Sequence, residues 1–171
     1  MQRASRAFGR LLEGLMLLAS AMVLIMTLLI GADVGLRNAG LGGVAWSNEA
    51  SEYMLYLITL LSAPWLLRQG KHIRIDIVLR ALPPRIGWAL EWVGDLLGLL
   101  CSLYFVWYGM KVLVASYLAG SISIKTLILP EWWLLAPMPL AFIAVSIEFV
   151  FRMHRLAKAE RAPRSDAVSA S

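Results

Sequence analysis

Apolar residues in this chain fall in four long blocks separated by short polar gaps. They show neither the alternation of a half-buried strand nor the one-sided stripe of a surface helix. Such blocks fit lipid as their solvent, and a lipid-facing backbone must satisfy its own hydrogen bonds, so each block predicts a transmembrane helix. The first covers 11–32. The second reads as Tyr53 to Leu67, about 15 residues, which is short for a hydrocarbon core of about 30 Å at about 1.5 Å per residue. Its helix is therefore extended back to Ser47, giving 47–67 and carrying Glu49 and Glu52 into the first turns. The third covers 87–110 and the fourth 132–151, led by Trp132 and Trp133 as an interfacial aromatic anchor.

The gaps are as informative as the blocks. Gly70 is placed to end the second helix, and from His72 to Ile77 polar and apolar residues alternate in a stretch too short to span. That stretch predicts an ordered loop on the membrane surface, with Ile73, Ile75 and Ile77 turned to the membrane and Asp76 held by Arg68 or Arg74. Pro83-Pro84 closes it. Between Lys111 and the fourth block, Val112 to Ile124 is apolar but diluted by serines and a glycine, and the sequence leaves open whether it is buried in lipid, interfacial or packed on a partner. The expected organisation is one transmembrane domain over 1–155 and a disordered tail over 156–171.

Composition sharpens this picture. Of 171 residues, 60% are apolar and 16% charged, against roughly 45–50% and about 25% in soluble domains. The net charge of +5 sits in the gaps, so it is a topology signal rather than a nucleic-acid-binding surface. On alternate sides of the four spans, 13 of the 16 Lys and Arg residues lie with the two termini and the loop from Arg68 to Arg85, and 3 (Arg37, Lys111, Lys125) lie opposite. The positive-inside rule then puts both termini in the cytoplasm. Arg3, Arg6 and Arg10 could equally begin a secretory signal, but the first block is long for one and Gly31-Ala32-Asp33 is a poor cleavage site, so a retained helix is expected. The single cysteine, Cys101, forms no intrachain disulfide.

Chemistry that would mark a membrane enzyme is sparse. His72 lies in a loop and His154 in the basic tail, so neither suits a haem within a span. No cluster of His, Cys and carboxylates has metal spacing, and no serine stands in a nucleophile elbow, so no catalytic residue, metal or cofactor is expected. The acids Glu49 and Glu52 share one helix face, as do Glu91 and Asp95. Counting helical rise from Arg68 and Lys111 puts both pairs near opposite membrane edges, with no charge at the middle. Glu91 or Asp95 is expected to pair with the basic loop between Arg68 and Arg85. Trp46 reads as an interfacial anchor, and Glu49 and Glu52 as partners of another protein or of an internal base.

Two stretches carry a family resemblance. Trp46-Ser-Asn-Glu49-Ala-Ser-Glu52-Tyr53, followed one span later by Arg68-Gln-Gly70-Lys71-His72-Ile-Arg-Ile-Asp76, resembles the small membrane subunit of tripartite ATP-independent periplasmic (TRAP) transporters. Val34-Gly-Leu-Arg37, Leu82-Pro-Pro-Arg85 and Leu129-Pro-Glu-Trp132 extend the resemblance, while Ser62-Ala-Pro64 and Pro137-Met-Pro139 depart from the small-residue patterns common there. The resemblance implies an all-α, four-span protein of the bacterial inner membrane. Its implied work is to brace a large membrane subunit and help dock a periplasmic solute-binding protein during sodium-coupled uptake of an organic acid. It implies Trp46, Glu49 and Glu52 as a subunit interface, Arg68, Gly70, His72 and Asp76 as a structural loop motif, and membrane lipids as further partners. An independent four-helix membrane protein, either a small channel or an orphan membrane enzyme, is the alternative.

Overall fold

In a computed structural model, residues 2–69 and 83–158 are described. The elements are α1 (Gln2–Asn38), α2 (Ser47–Arg68), α3 (Pro84–Ala119), a two-residue hairpin pair β1 (Ile122–Ser123) and β2 (Leu129–Pro130), α4 (Glu131–Leu135) and α5 (Pro137–Lys158). Among the described residues, four stretches are long and apolar enough to cross a membrane, the fourth formed by α4 and α5 together. The expected four-span, all-α architecture is observed. The loop motif residues Gly70, His72 and Asp76, with the rest of the expected surface loop, lie outside the described residues, as does the tail beyond Lys158.

Helix ends follow local chemistry. α1 and α3 run further than their apolar blocks, to Asn38 and Ala119, and each stops at a glycine in the left-handed region, Gly40 (φ 73°) and Gly120 (φ 61°). At each, two amides bend back on the last turn. The N–H of Leu41 donates to Leu36 and that of Gly40 to Arg37, while Ser121 donates to Ser116 and Gly120 to Tyr117. A side chain would strain that backbone, so glycine makes the stop sharp. α3 begins with Pro84 in its first turn, where the missing N–H costs nothing. The stretch from Val112 to Ile124 divides in two: α3 continues to Ala119 and the remainder enters the hairpin. The hairpin is antiparallel, pairing Ile122 with Pro130 and Ser123 with Leu129.

The spans pack as a row. α1 lies on α2, α2 also on α5, and α5 on α3, while the first and third spans share no comparable interface. Only 6–17% of the most apolar stretch of each span is buried, so both broad faces of the row need lipid or another protein to cover them. The α3–α5 contact is a regular seam. Gly98 faces Phe149, Ser102 faces Ser146, Phe105 stacks on Phe142 with ring centres 4.7 Å apart, and Gly109 faces Pro139. These positions step by four, three and four along α3 and by three, four and three back along α5. That is the period of two antiparallel helices packed knobs into holes. Gly98 sits under the Phe149 ring, where any Cβ would collide, and the Ser146 hydroxyl lies 2.8 Å from that of Ser102 in a buried bridge. Small residues and one polar contact are what helices use to associate in lipid, where the hydrophobic effect gives no advantage.

Candidate functional site: two polar layers at the ends of the row

Polar side chains gather at the two ends of the spans. From Glu49 to Arg68 along α2 is about 28 Å, and from Asp95 to Ser116 along α3 about 32 Å, at about 1.5 Å per residue. Both distances match a hydrocarbon core of about 30 Å. Between the layers, 15–32, 53–67, 96–110 and 132–147 contain no Asp, Glu, Lys, Arg or His.

At the basic end, where α1 begins and α5 ends, Glu148 is the hub. Its side chain is fully buried and takes Arg155 at 2.6 Å on one carboxylate oxygen and Arg68 at 3.3 Å on the other. Arg68 also donates to the carbonyl of Ser5 at 2.9 Å, which ties α1 to α2 and α5. Gly9 leaves the space this requires, since a Cβ there would stand 2.8 Å from the guanidinium. One turn further, Arg152 pairs with Asp95 of α3 at 2.8 Å and donates to the carbonyl of Leu67 at 3.1 Å. Leu67 lies in the last turn of α2 and Asp95 on α3, so a single arginine of α5 joins three spans. Glu91 is buried in the same layer, and the indole N–H of Trp88 lies 3.4 Å from the carbonyl of Leu156. Buried charges persist only when paired and hydrogen-bonded, which this layer achieves by crossing from helix to helix.

The hairpin end is organised by carboxylates. Glu49, almost buried, accepts the backbone N–H of Thr126 at 2.9 Å and that of Leu127 at 2.7 Å, one on each oxygen. It holds the turn between β1 and β2 down on the start of α2. Glu52 reaches Lys125 at 3.0 Å, and the Lys125 ammonium lies 5.6 Å from the centre of the Tyr53 ring. The hydrogen bond to Glu52 raises the Lys125 pKa above its usual 10.5. Any stability from this pair is therefore present at neutral pH and is lost only as pH rises through that raised value. At the neighbouring loop Asp33 accepts the N–H of Val44 at 2.6 Å and pairs with Arg37 at 3.0 Å. Ser116 lies 3.2 Å from Glu131, which joins α3 to α4.

The residues singled out from sequence are thus distributed over both ends. Glu49 and Glu52 engage the chain's own hairpin, through two amides and Lys125, and Trp46 stands beside them 45% exposed. Asp95 pairs with Arg152 of α5, while most of the loop from Arg68 to Arg85, which the sequence suggested as partner of Glu91 or Asp95, lies outside the described residues. Arg68 does belong to the basic layer, held by Glu148 and Ser5. Glu148 and Arg152 escaped sequence reasoning because they sit where an apolar block meets a basic tail and read as its edge. A signal was available: Glu148, Arg152 and Arg155 recur at spacings of four and three, a charged stripe on one helix face.

These four spans, with a buried charge layer at one end and a carboxylate-held hairpin at the other, can be set beside known proteins. The family of tripartite ATP-independent periplasmic transporters, DctQ component, matches residues 26–159. The chain belongs to that family. A protein of Haemophilus influenzae provisionally named TRAP transporter small permease protein is 24% identical over 94 residues. That match spans 55% of this chain and 58% of the relative's length. The matched family is a transporter component and not an enzyme, and the four apolar helices of this chain make it a multi-pass membrane protein. The match to the family covers the end of α1 and α2 through α5, and with them the hairpin layer and the basic layer apart from its Ser5 and Gly9 members on α1.

Proposed function

We propose that this chain is the stationary brace of its transporter: it widens and fixes the large membrane subunit in the inner membrane, with both termini cytoplasmic and the hairpin end periplasmic. There it presents part of the surface on which the solute-binding protein docks during sodium-coupled uptake of an organic acid. The observation that supports this reading best is the separation of the two polar layers by an uncharged middle in every span. Coupling sites for ions and anionic substrates are usually built near the midplane from ionisable groups or broken helices, and this row offers neither there. Its broad uncovered faces suit a protein that works by contact.

Trp46, Glu49 and Glu52 belong to the proposed contact with the large subunit, Glu49 acting through the hairpin that it holds and Glu52 through its exposed carboxylate. Proteoliposomes containing this chain alone should show no sodium-driven uptake, and adding the large subunit with the binding protein should restore it. Uptake by this chain alone would overturn the reading. The double substitution of Glu49→Gln and Glu52→Gln should leave insertion intact while lowering co-purification of the large subunit and uptake together. Normal assembly and transport in that variant would move the contact elsewhere on the row.

A further inference from the structure

α3 stands at one margin of the row, packed on α5 and α4. At about 100° per residue, Leu100, Tyr104, Trp107, Lys111 and Leu118 fall on one stripe of this helix, and the seam residues Gly98, Ser102, Phe105 and Gly109 lie about 120–180° round from Lys111. The stripe is therefore the outer edge of the row. It is exposed along its length, Tyr104 to 60% and Trp107 to 74%. Its composition is out of place against hydrocarbon. Tyr and Trp suit the membrane edges, where the polar tip of the ring meets headgroups. Yet by helical rise Tyr104 stands about 18 Å from the level of Ser116 and about 14 Å from that of Asp95, and Trp107 the reverse, so both are near the middle. Lys111 lies about 7.5 Å inside the level of Ser116, and its ammonium is 5.9 Å from the centre of the ring of Tyr108, one turn nearer the middle. Among the described residues, no hydrogen bond or ion pair reaches the Tyr104 or Tyr108 hydroxyl, the Trp107 indole N–H or that ammonium.

We infer that this stripe is a contact with the large membrane subunit inside the bilayer: it receives a transmembrane helix that sets a carboxylate against Lys111 and hydrogen-bond acceptors against Tyr104, Trp107 and Tyr108. The inference rests on the brace reading above and adds to it a second contact, on the far side of the row from α1. Lipid does not satisfy these groups. Acyl tails carry no acceptor at this depth and phosphates stay at the membrane edges, so three aromatic tips and a cation would stay unmatched. A helix with polar side chains meets them where they stand, by the hydrogen bonds that join helices in membranes, and aromatic residues are what protein contacts concentrate. A second copy of this chain is a poorer fit, because a symmetric contact through the stripe would oppose Lys111 to Lys111.

The test places a photo-cross-linking amino acid at position 107 of the full chain, expressed together with the large subunit and irradiated in membranes. An adduct with a transmembrane helix of the large subunit is expected. No protein adduct, or an adduct with a second copy of this chain, would sink the inference. Lys111→Leu makes the span more apolar and so does not hinder insertion. It should lower retention of the large subunit on purification about tenfold, since it strands the opposing carboxylate in a desolvated contact, while Lys111→Arg should keep it. Equal retention by Lys111→Leu and wild type would overturn the ion pair. Wild-type co-purification separates the two readings: a chain that does not hold the large subunit at all sinks the brace and the stripe together, whereas one that holds it without cross-linking from position 107 sinks the stripe alone.

Discussion

Glu148 is the residue on which most converges. It is fully buried, it joins Arg68 and Arg155, and through Arg68 it reaches the start of α1. Removing one member of a buried ion pair leaves an uncompensated charge and costs about 3–5 kcal/mol, whereas replacing a whole pair by apolar groups is often neutral. Glu148→Gln should therefore destabilise the chain by about that amount, read as a lower thermal midpoint in detergent. Glu148→Leu combined with Arg68→Met should recover part of the loss, because no stranded charge remains between those two positions. Equal melting of Glu148→Gln and wild type would show that the basic layer is hydrated in solution. Glu49 at the other end differs in kind: it binds backbone amides, so the hairpin turn is held whatever its side chains are.

At the scale of elements, the seam between α3 and α5 is where one added side chain has the largest effect. Gly98 lies under Phe149, and Phe105 stacks on Phe142 two turns away. Gly98→Val should force the helices apart at an overpacking cost of about 1–3 kcal/mol. Adding Phe149→Ala should relieve part of it, since the colliding ring is then absent. A double variant no more stable than the single would mean that Phe149 turns aside freely. Ser102→Ala should cost much less, about 0.6 kcal/mol, the average for a hydrogen bond between helices in a membrane.

At the scale of the whole molecule, the start of α1, the end of α2 and the end of α5 meet at one end of the row, which requires an even number of crossings. Phe8 of α1 and Phe151 of α5 meet there with ring centres 5.8 Å apart. With 13 of 16 basic residues on that side, a reporter fused after Ser171 should read cytoplasm and one inserted near Gly42 should read periplasm. The reverse pattern would invert the proposed orientation, and agreement of the two positions would break the four-span topology.

How much of this was legible in the sequence depends on the range of the physics involved. Spans are set by contiguous apolar residues against lipid and helix starts by local proline chemistry, so the four helices and the place of Pro83-Pro84 could be read along the chain, whereas the run of α3 on to Gly120 could not. The segregation of charge to the ends was legible for the same reason, because each charged residue reports its own depth. Which acid meets which base was not. Glu49 finds Thr126 and Leu127, and Asp95 finds Arg152, across separations of more than 50 residues, and no periodicity carries that information. The row itself, with α1 and α3 at its margins, was likewise decided only by tertiary packing. In lipid every span is equally apolar outside and in, so hydrophobicity cannot say which faces meet, and small residues such as Gly98 and the Ser102–Ser146 bridge choose the neighbours instead.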